Sequence, residues 1–144
     1  MNASGVITGE NDFRTGVTNS RAVVWKSGTV TAIVTPPQAS GRAVDGLGEV
    51  GIYSRGANEQ DFVWSNGTLL PLPNVEFTCA NAHLLAGYSI YRAFVWMNDT
   101  LTWLLGREGR VFGVNAHDQL VGEIATKGPK IGGVPPIHAA LWSQ

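Results

Sequence analysis

Glu10 and Glu123 are the residues of this chain whose type and placement could do covalent chemistry. Each directly follows a glycine, Gly9 or Gly122, that ends a short apolar run. Two carboxylates facing one another across a sugar would act as acid and base in a glycan hydrolase or lyase. The competing reading leaves them as solvated charges at strand ends. Trp103 lies outside the register of the other tryptophans and is a candidate exposed ring for stacking on a sugar or a protein partner. Lys127 and Lys130 sit in ATKGPKIGGVPPI (residues 125–137), the longest connection and one rich in Gly and Pro. Long loops on a rigid β scaffold are where binding function concentrates. With His138, which opens the final segment, these lysines and Trp103 form the candidate binding set. His83 and His117 occupy equivalent NAH segments. Three histidines could ligate a metal, but these are scattered with no short-range ligand pair, so they read as turn and surface residues. No metal site and no cofactor is implied.

Composition excludes several classes. Ten basic and eleven acidic residues, scattered along 144, give a formal net charge of −1. Nucleic-acid and anionic-membrane partners need a basic footprint that is absent here. The single cysteine, Cys79, permits no internal disulfide; flanked by Thr78 and Ala80, it reads as a small buried apolar residue. The opening MNASGVITGEND carries no signal-peptide pattern, and no apolar run approaches the ~18 residues of a membrane span. Sequons stand at Asn2, Asn66 and Asn98. The latter two fall at hairpin tips, where asparagine serves backbone conformation. Asp45 with Glu49, and Arg107 to Arg110, read as ordinary loop charges.

The elements that would position these residues emerge from an internal repeat. RAVVWKSGTVTAI (21–33), QDFVWSNGTLLPL (60–72) and RAFVWMNDTLTWL (92–104) align without gaps, and HAALWSQ (138–144) begins a fourth copy. Each reads as a strand ending at Trp25, Trp64 or Trp96, a two-residue tip, and a return strand starting at Thr29, Thr68 or Thr100. The tips Ser27-Gly28, Asn66-Gly67 and Asn98-Asp99 carry residues that tolerate positive φ, as primed two-residue turns require. A second element recurs after each hairpin: NASGVITG (2–9), VDGLGEVG (44–51), ANAHLLAG (80–87) and NAHDQLVG (115–122). Each is a polar turn, then an apolar strand ending on glycine. Aligning those glycines puts Ile52 and Tyr88 where the outer copies carry Glu10 and Glu123.

The tryptophans are spaced by 39, 32 and 46 residues, near the ~40–45 of propeller blades. Recurring tryptophans at strand ends are packing residues between such units. The expectation is an all-β, β-propeller-like single domain over residues 1–144, with about four hairpin-based units. Three would be complete and the fourth shared between the N- and C-termini, short by about one hairpin. Glu10 and Glu123 would then lie on neighbouring blades of a ring.

The run His138-Ala139-Ala140-Leu141-Trp142, with Arg92-Ala93-Phe94-Val95-Trp96 and Asn98, resembles the His-Ala-Phe repeat of the HAF family of bacterial, mostly extracellular, repeat proteins. Residues 115–122 are similar to that family's second signature. The resemblance implies a propeller-like fold and an extracellular or periplasmic origin, and no chemistry. The expectation for function is a non-enzymatic binding module for a carbohydrate or protein, assembled as a homo-oligomer. The alternatives are a glycan hydrolase or lyase using Glu10 and Glu123, and a fragment of a larger propeller without independent function.

Overall fold

The computed structural model describes residues 1–12, 20–55, 60–72, 74–90, 92–105, 107–128 and 135–143. Lys130 and the centre of the 125–137 connection lie outside them. The described residues form 14 strands and no helix.

Local turn chemistry makes the hairpins. The tips carry positive φ at Ser27 (50°), Gly28 (80°), Asn66 (48°), Gly67 (83°), Asn98 (51°) and Asp99 (56°). That geometry matches the right-handed twist of the flanking strands. Lys26 therefore pairs with Thr29, Ser65 with Thr68 and Met97 with Thr100.

The strands assemble into four antiparallel meanders. β1 (Ile7–Asp12), β2 (Ser20–Lys26) and β3 (Thr29–Ala32) form the first sheet. β4 (Ala39–Val44), β5 (Val50–Ser54), β6 (Asp61–Ser65) and β7 (Thr68–Leu72) form the second. β8 (Val75–Ala80), β9 (Leu85–Ser89), β10 (Ala93–Met97) and β11 (Thr100–Trp103) form the third, and β12 (Arg107–Val114), β13 (Gln119–Ala125) and β14 (Ile137–Ser143) the fourth. Two sheets have four strands and two have three.

This corrects the expected partition of the chain. Each tryptophan hairpin pairs with the turn-and-strand element that precedes it, not the one that follows. Among the described residues the two ends fall in separate sheets: β1 pairs with β2, and β14 with β13. Pairing alternates with period two, so either assignment satisfies the local pattern; only sheet-to-sheet burial selects one.

One register runs through all four sheets. Trp25 lies opposite Ile7, Trp64 opposite Val50, Trp96 opposite Leu85 and Trp142 opposite Leu120. Three residues further along, the equivalent positions are Glu10, Tyr53, Tyr88 and Glu123. The glycine alignment was one residue out in the second sheet, where Gly51 is equivalent to Ala86 and the ring of Phe77 fills the space a Cβ would take, 2.3 Å away.

The core consists of three layers, one between each pair of successive sheets. The first joins Ala22 and Ile33 to Ala39, Val50, Ile52 and Phe62. The second joins Ala43, Val63 and Leu72 to Phe77, Leu85, Phe94 and Trp96. The third joins Ala86, Ala93, Val95 and Leu104 to Val111 and Leu120. Phe77 and Phe94 meet edge to face at 5.3 Å, a contact worth roughly 0.5–1.5 kcal/mol beyond burial. Cys79 is half-buried against the third layer, and burial raises its thiol above the ordinary value.

Candidate functional site

At one end of the sheets the chain turns through a repeated Asx motif. The Oδ1 atoms of Asn2, Asp45, Asn81 and Asn115 each accept two backbone N–H bonds from their own turn. The second side-chain atom looks to the next sheet: Asn2 Nδ2 donates to Asp45 O at 2.6 Å, and Asn81 Nδ2 to Asn115 O at 2.8 Å. Asp45 has an oxygen where the other three have an amide nitrogen. Its Oδ2 is fully buried and without a partner. Burial pushes the carboxyl above its ordinary 3.8; the Glu49 N–H bond opposes this and the Glu49 charge adds to it. Glu49 is buried too, and its Oε2 accepts the indole N–H of Trp96 at 3.1 Å. Asp45 and Glu49 do lie in a loop, the β4–β5 turn, but they are buried at the junction between the second and third sheets rather than ordinary solvated charges. His83 and His117 hold the second turn positions and are exposed. Among the described residues, no three His, Cys, Asp or Glu side chains come together as a metal site would need.

The opposite end of the inner strands carries the polar site. The position shared by Glu10, Tyr53, Tyr88 and Glu123 falls there, beside Ser40, Glu76 and Arg110 of the neighbouring strands. Three clefts follow one another along this margin. The first, about 320 Å³, is lined by Glu10, Ser20, Gln38, Ser40, Arg42, Tyr53 and Arg55. The second, about 470 Å³, shares Tyr53 and continues over Asn74, Glu76, Tyr88, Ile90 and Arg110. The third, about 210 Å³, shares Ile90 and Arg110 and ends at Glu108, Glu123, Ala125, Pro135 and Ile137. Adjacent clefts share lining residues, so the three together form a groove-like margin that touches all four sheets.

Its electrostatics are organised around the two tyrosines. Arg42 and Arg55 both lie over the Tyr53 ring, at 5.1 and 5.9 Å from its centre, and Arg110 lies over Tyr88 at 5.1 Å. The Tyr88 hydroxyl donates to Glu76 Oε2 at 2.7 Å. That bond, with burial and the Glu76 charge, raises the phenol above its ordinary value, against the pull of Arg110 and Arg42. Arg110 Nε stands 3.9 Å from Glu123 Oε1. Arg42 and Arg55 have no carboxylate within ion-pair distance among the described residues.

The residues singled out from sequence fall in different places. Glu10 and Glu123 share a repeat position and the groove, but in the first and fourth sheets. Glu10 lines the first cleft and Glu123 the third. Glu123 has the Arg110 guanidinium beside it. Trp103 is 37% exposed and meets Phe94 edge to face at 6.0 Å. It lines a separate shallow cleft with Leu105, Leu141 and Trp142, whose indole donates to Leu105 O at 2.9 Å. Lys127 and His138 are exposed. The 125–137 connection is pinned at its base by Thr126 N–H donating to Pro136 O at 2.8 Å, and its ends border the third cleft.

The residues that sequence reading passed over are Arg42, Tyr53, Arg55, Tyr88 and Arg110. Arg110 is not in a loop but in β12, and its partner Glu123 is set by strand register. The signal is the tryptophan register: three positions on from Val50 and Leu85, which lie opposite Trp64 and Trp96 in the preceding strands, stand Tyr53 and Tyr88. No protein-family model matches the chain, and neither a curated protein nor a solved structure is detectably similar to it.

Proposed function

We propose that this protein is a non-enzymatic binding module, a propeller-like stack of sheets whose groove holds an acidic carbohydrate across Tyr53 and Tyr88. The observation that carries the reading is the pair of guanidiniums, Arg42 and Arg55, over one tyrosine ring without a carboxylate partner among the described residues. Two like charges on a single ring repel one another, and an anionic group between them turns that repulsion into a charge-assisted, bidentate contact. Around them Ser20, Gln38 and Ser40 offer hydroxyl and amide groups of the kind that meet sugar hydroxyls, while the carboxylate of a uronic acid supplies the anion. The cleft that holds the two arginines is open and polar, which suits a hydrated, polar ligand better than a small apolar one. Glu10 and Glu123 line different clefts, and Glu123 has Arg110 beside it, which favours binding over turnover. The repeated register and the side-by-side sheet contacts support the propeller-like description.

Calorimetric titration tests this with a uronic-acid oligosaccharide, a neutral oligosaccharide of equal length and an acidic peptide. Binding is expected for the first, weakening with salt, and Tyr53→Ala or the double change of Arg42 and Arg55 to Ala should cost at least about tenfold in Kd, as hot-spot residues do. Peptide binding without sugar binding would make the partner a protein. Failure of both, or turnover abolished by Glu10→Gln, would overturn the reading.

A further inference from the structure

The two end faces of the sheet stack are exposed, apolar and repeat-equivalent to faces that are buried inside it. Within the chain, each sheet presents one tryptophan-bearing face to the sheet before it. Val50, Trp64 and Leu69 of the second sheet pack on the first. Leu85, Trp96 and Leu101 of the third pack on the second. By register, the same trio in the first sheet is Ile7, Trp25 and Val30. There it is open to solvent, at 43%, 50% and 43% exposure.

The receiving face repeats as well. Val24, Val63 and Val95, each just before its tryptophan, take part in the first, second and third layers. Their equivalent in the fourth sheet is Leu141, 67% exposed, opposite Val121 at 51%; Phe112, in the β12 bulge beside the Val121 partner Gly113, is 55% exposed. The last sheet thus offers an exposed receiving face, and the first an exposed tryptophan face.

The Asx turns point the same way. Asn2 reaches forward to the carbonyl of Asp45, and Asn81 to that of Asn115. Asn115 is next in the series, and its Nδ2 folds back onto its own Gln119 Oε1 at 2.7 Å. The carbonyl that would continue the series is that of Asn2, which accepts one bond, from Gly5 N–H.

We propose that the chain joins a second copy of itself head to tail: Phe112, Val121 and Leu141 of one copy cover Ile7, Trp25 and Val30 of the next. The sheet-to-sheet packing already used three times within the chain is thereby repeated once more between chains. Asn115 of one copy then bonds the Asn2 carbonyl of the next. The interface is heterologous, so two copies can close into a ring of eight sheets, within the ~4–8 of propellers. A second copy fits better than any unrelated partner because each face is already built for the other.

Light scattering on a sizing column tests this, using the intact chain, Trp25→Glu and Leu141→Glu. The unaltered chain should run at twice its monomer mass or more at about 100 µM. Each variant should run as a monomer with an unchanged circular dichroism spectrum, because both residues are exposed. Mixed in equal amounts, the variants should form a one-to-one dimer, since each retains the one sound face the other needs. A monomeric unaltered chain, an assembly that survives both substitutions, or a mixture that stays monomeric would each overturn the proposal.

Discussion

Trp25 and Trp96 occupy one repeat position, and the molecule treats them oppositely. Both stand one residue before the end of a hairpin's first strand, both face an aliphatic residue across the sheet, and both lead into a two-residue tip. Trp96 is 4% exposed and its indole reaches the Glu49 carboxylate in the neighbouring sheet; Trp25 is 50% exposed. Position in the hairpin therefore fixes where a side chain points, and the presence of a sheet on that side fixes what it is worth. Inner junctions turn a repeated residue into core, whereas the outer faces leave the same residue available for contact.

The sharpest test of that contrast is truncation of both tryptophans. Trp96→Ala should destabilise by about 3–5 kcal/mol, through the cavity it opens and the buried Glu49 oxygen it strips of its donor. Trp25→Ala should stay within ~0.5 kcal/mol when measured on the monomer by denaturant unfolding. Equal costs would mean that the first sheet's outer face is covered in solution.

A second pair at one repeat position is Gly87 and Gly9. A Cβ on Gly87 would sit 1.8 Å from Glu76 O, because the bulge between Phe77 and Cys79 brings that strand close, while a Cβ on Gly9 meets nothing within 4 Å. Gly87→Ala should cost about 1–3 kcal/mol or more by overpacking. Gly9→Ala should be near neutral. Thermal unfolding of the two variants side by side reads the difference directly.

The smallest of these effects is expected at Asp45, the exception among the Asx turns. Asp45→Asn restores the Nδ2 donor found at Asn2, Asn81 and Asn115 and should stabilise by about 1 kcal/mol at neutral pH. The sign of the pH dependence follows from the raised carboxyl. The folded chain holds this proton more tightly than the unfolded one, so the contribution is full below pH 3.8 and is lost as pH rises through the higher folded value. Unfolding free energies from pH 3 to 7 should show that loss in the natural chain and its removal in Asp45→Asn. An asparagine variant with the natural slope would mean that Oδ2 is not the orphan group.

Much of the local structure was legible before any coordinates. Ser27-Gly28, Asn66-Gly67 and Asn98-Asp99 announced their tips because positive φ is a property of the residues themselves. The aligned tryptophans announced the repeat because pairing within a sheet acts over a few residues. What escaped was the assignment of each hairpin to the element before it, the register that unites Tyr53 with Tyr88, and the burial of Asp45 and Glu49. Arg110 looked like a loop charge for the same reason. Its strand, its ring and its carboxylate partner come from three places in the chain, and no local pattern links them.

The division has a physical cause. Turn propensity and strand alternation are short-range, so residue types alone determined that this chain is all-β, built from repeated hairpins and poor in fixed charge. Whether a given face is core, groove or open surface depends on which sheet packs against it, and that is decided by contacts tens of residues apart. Only the tertiary structure set Arg42 and Arg55 over Tyr53, put Glu10 and Glu123 into different clefts, and left Trp25 exposed while burying Trp96.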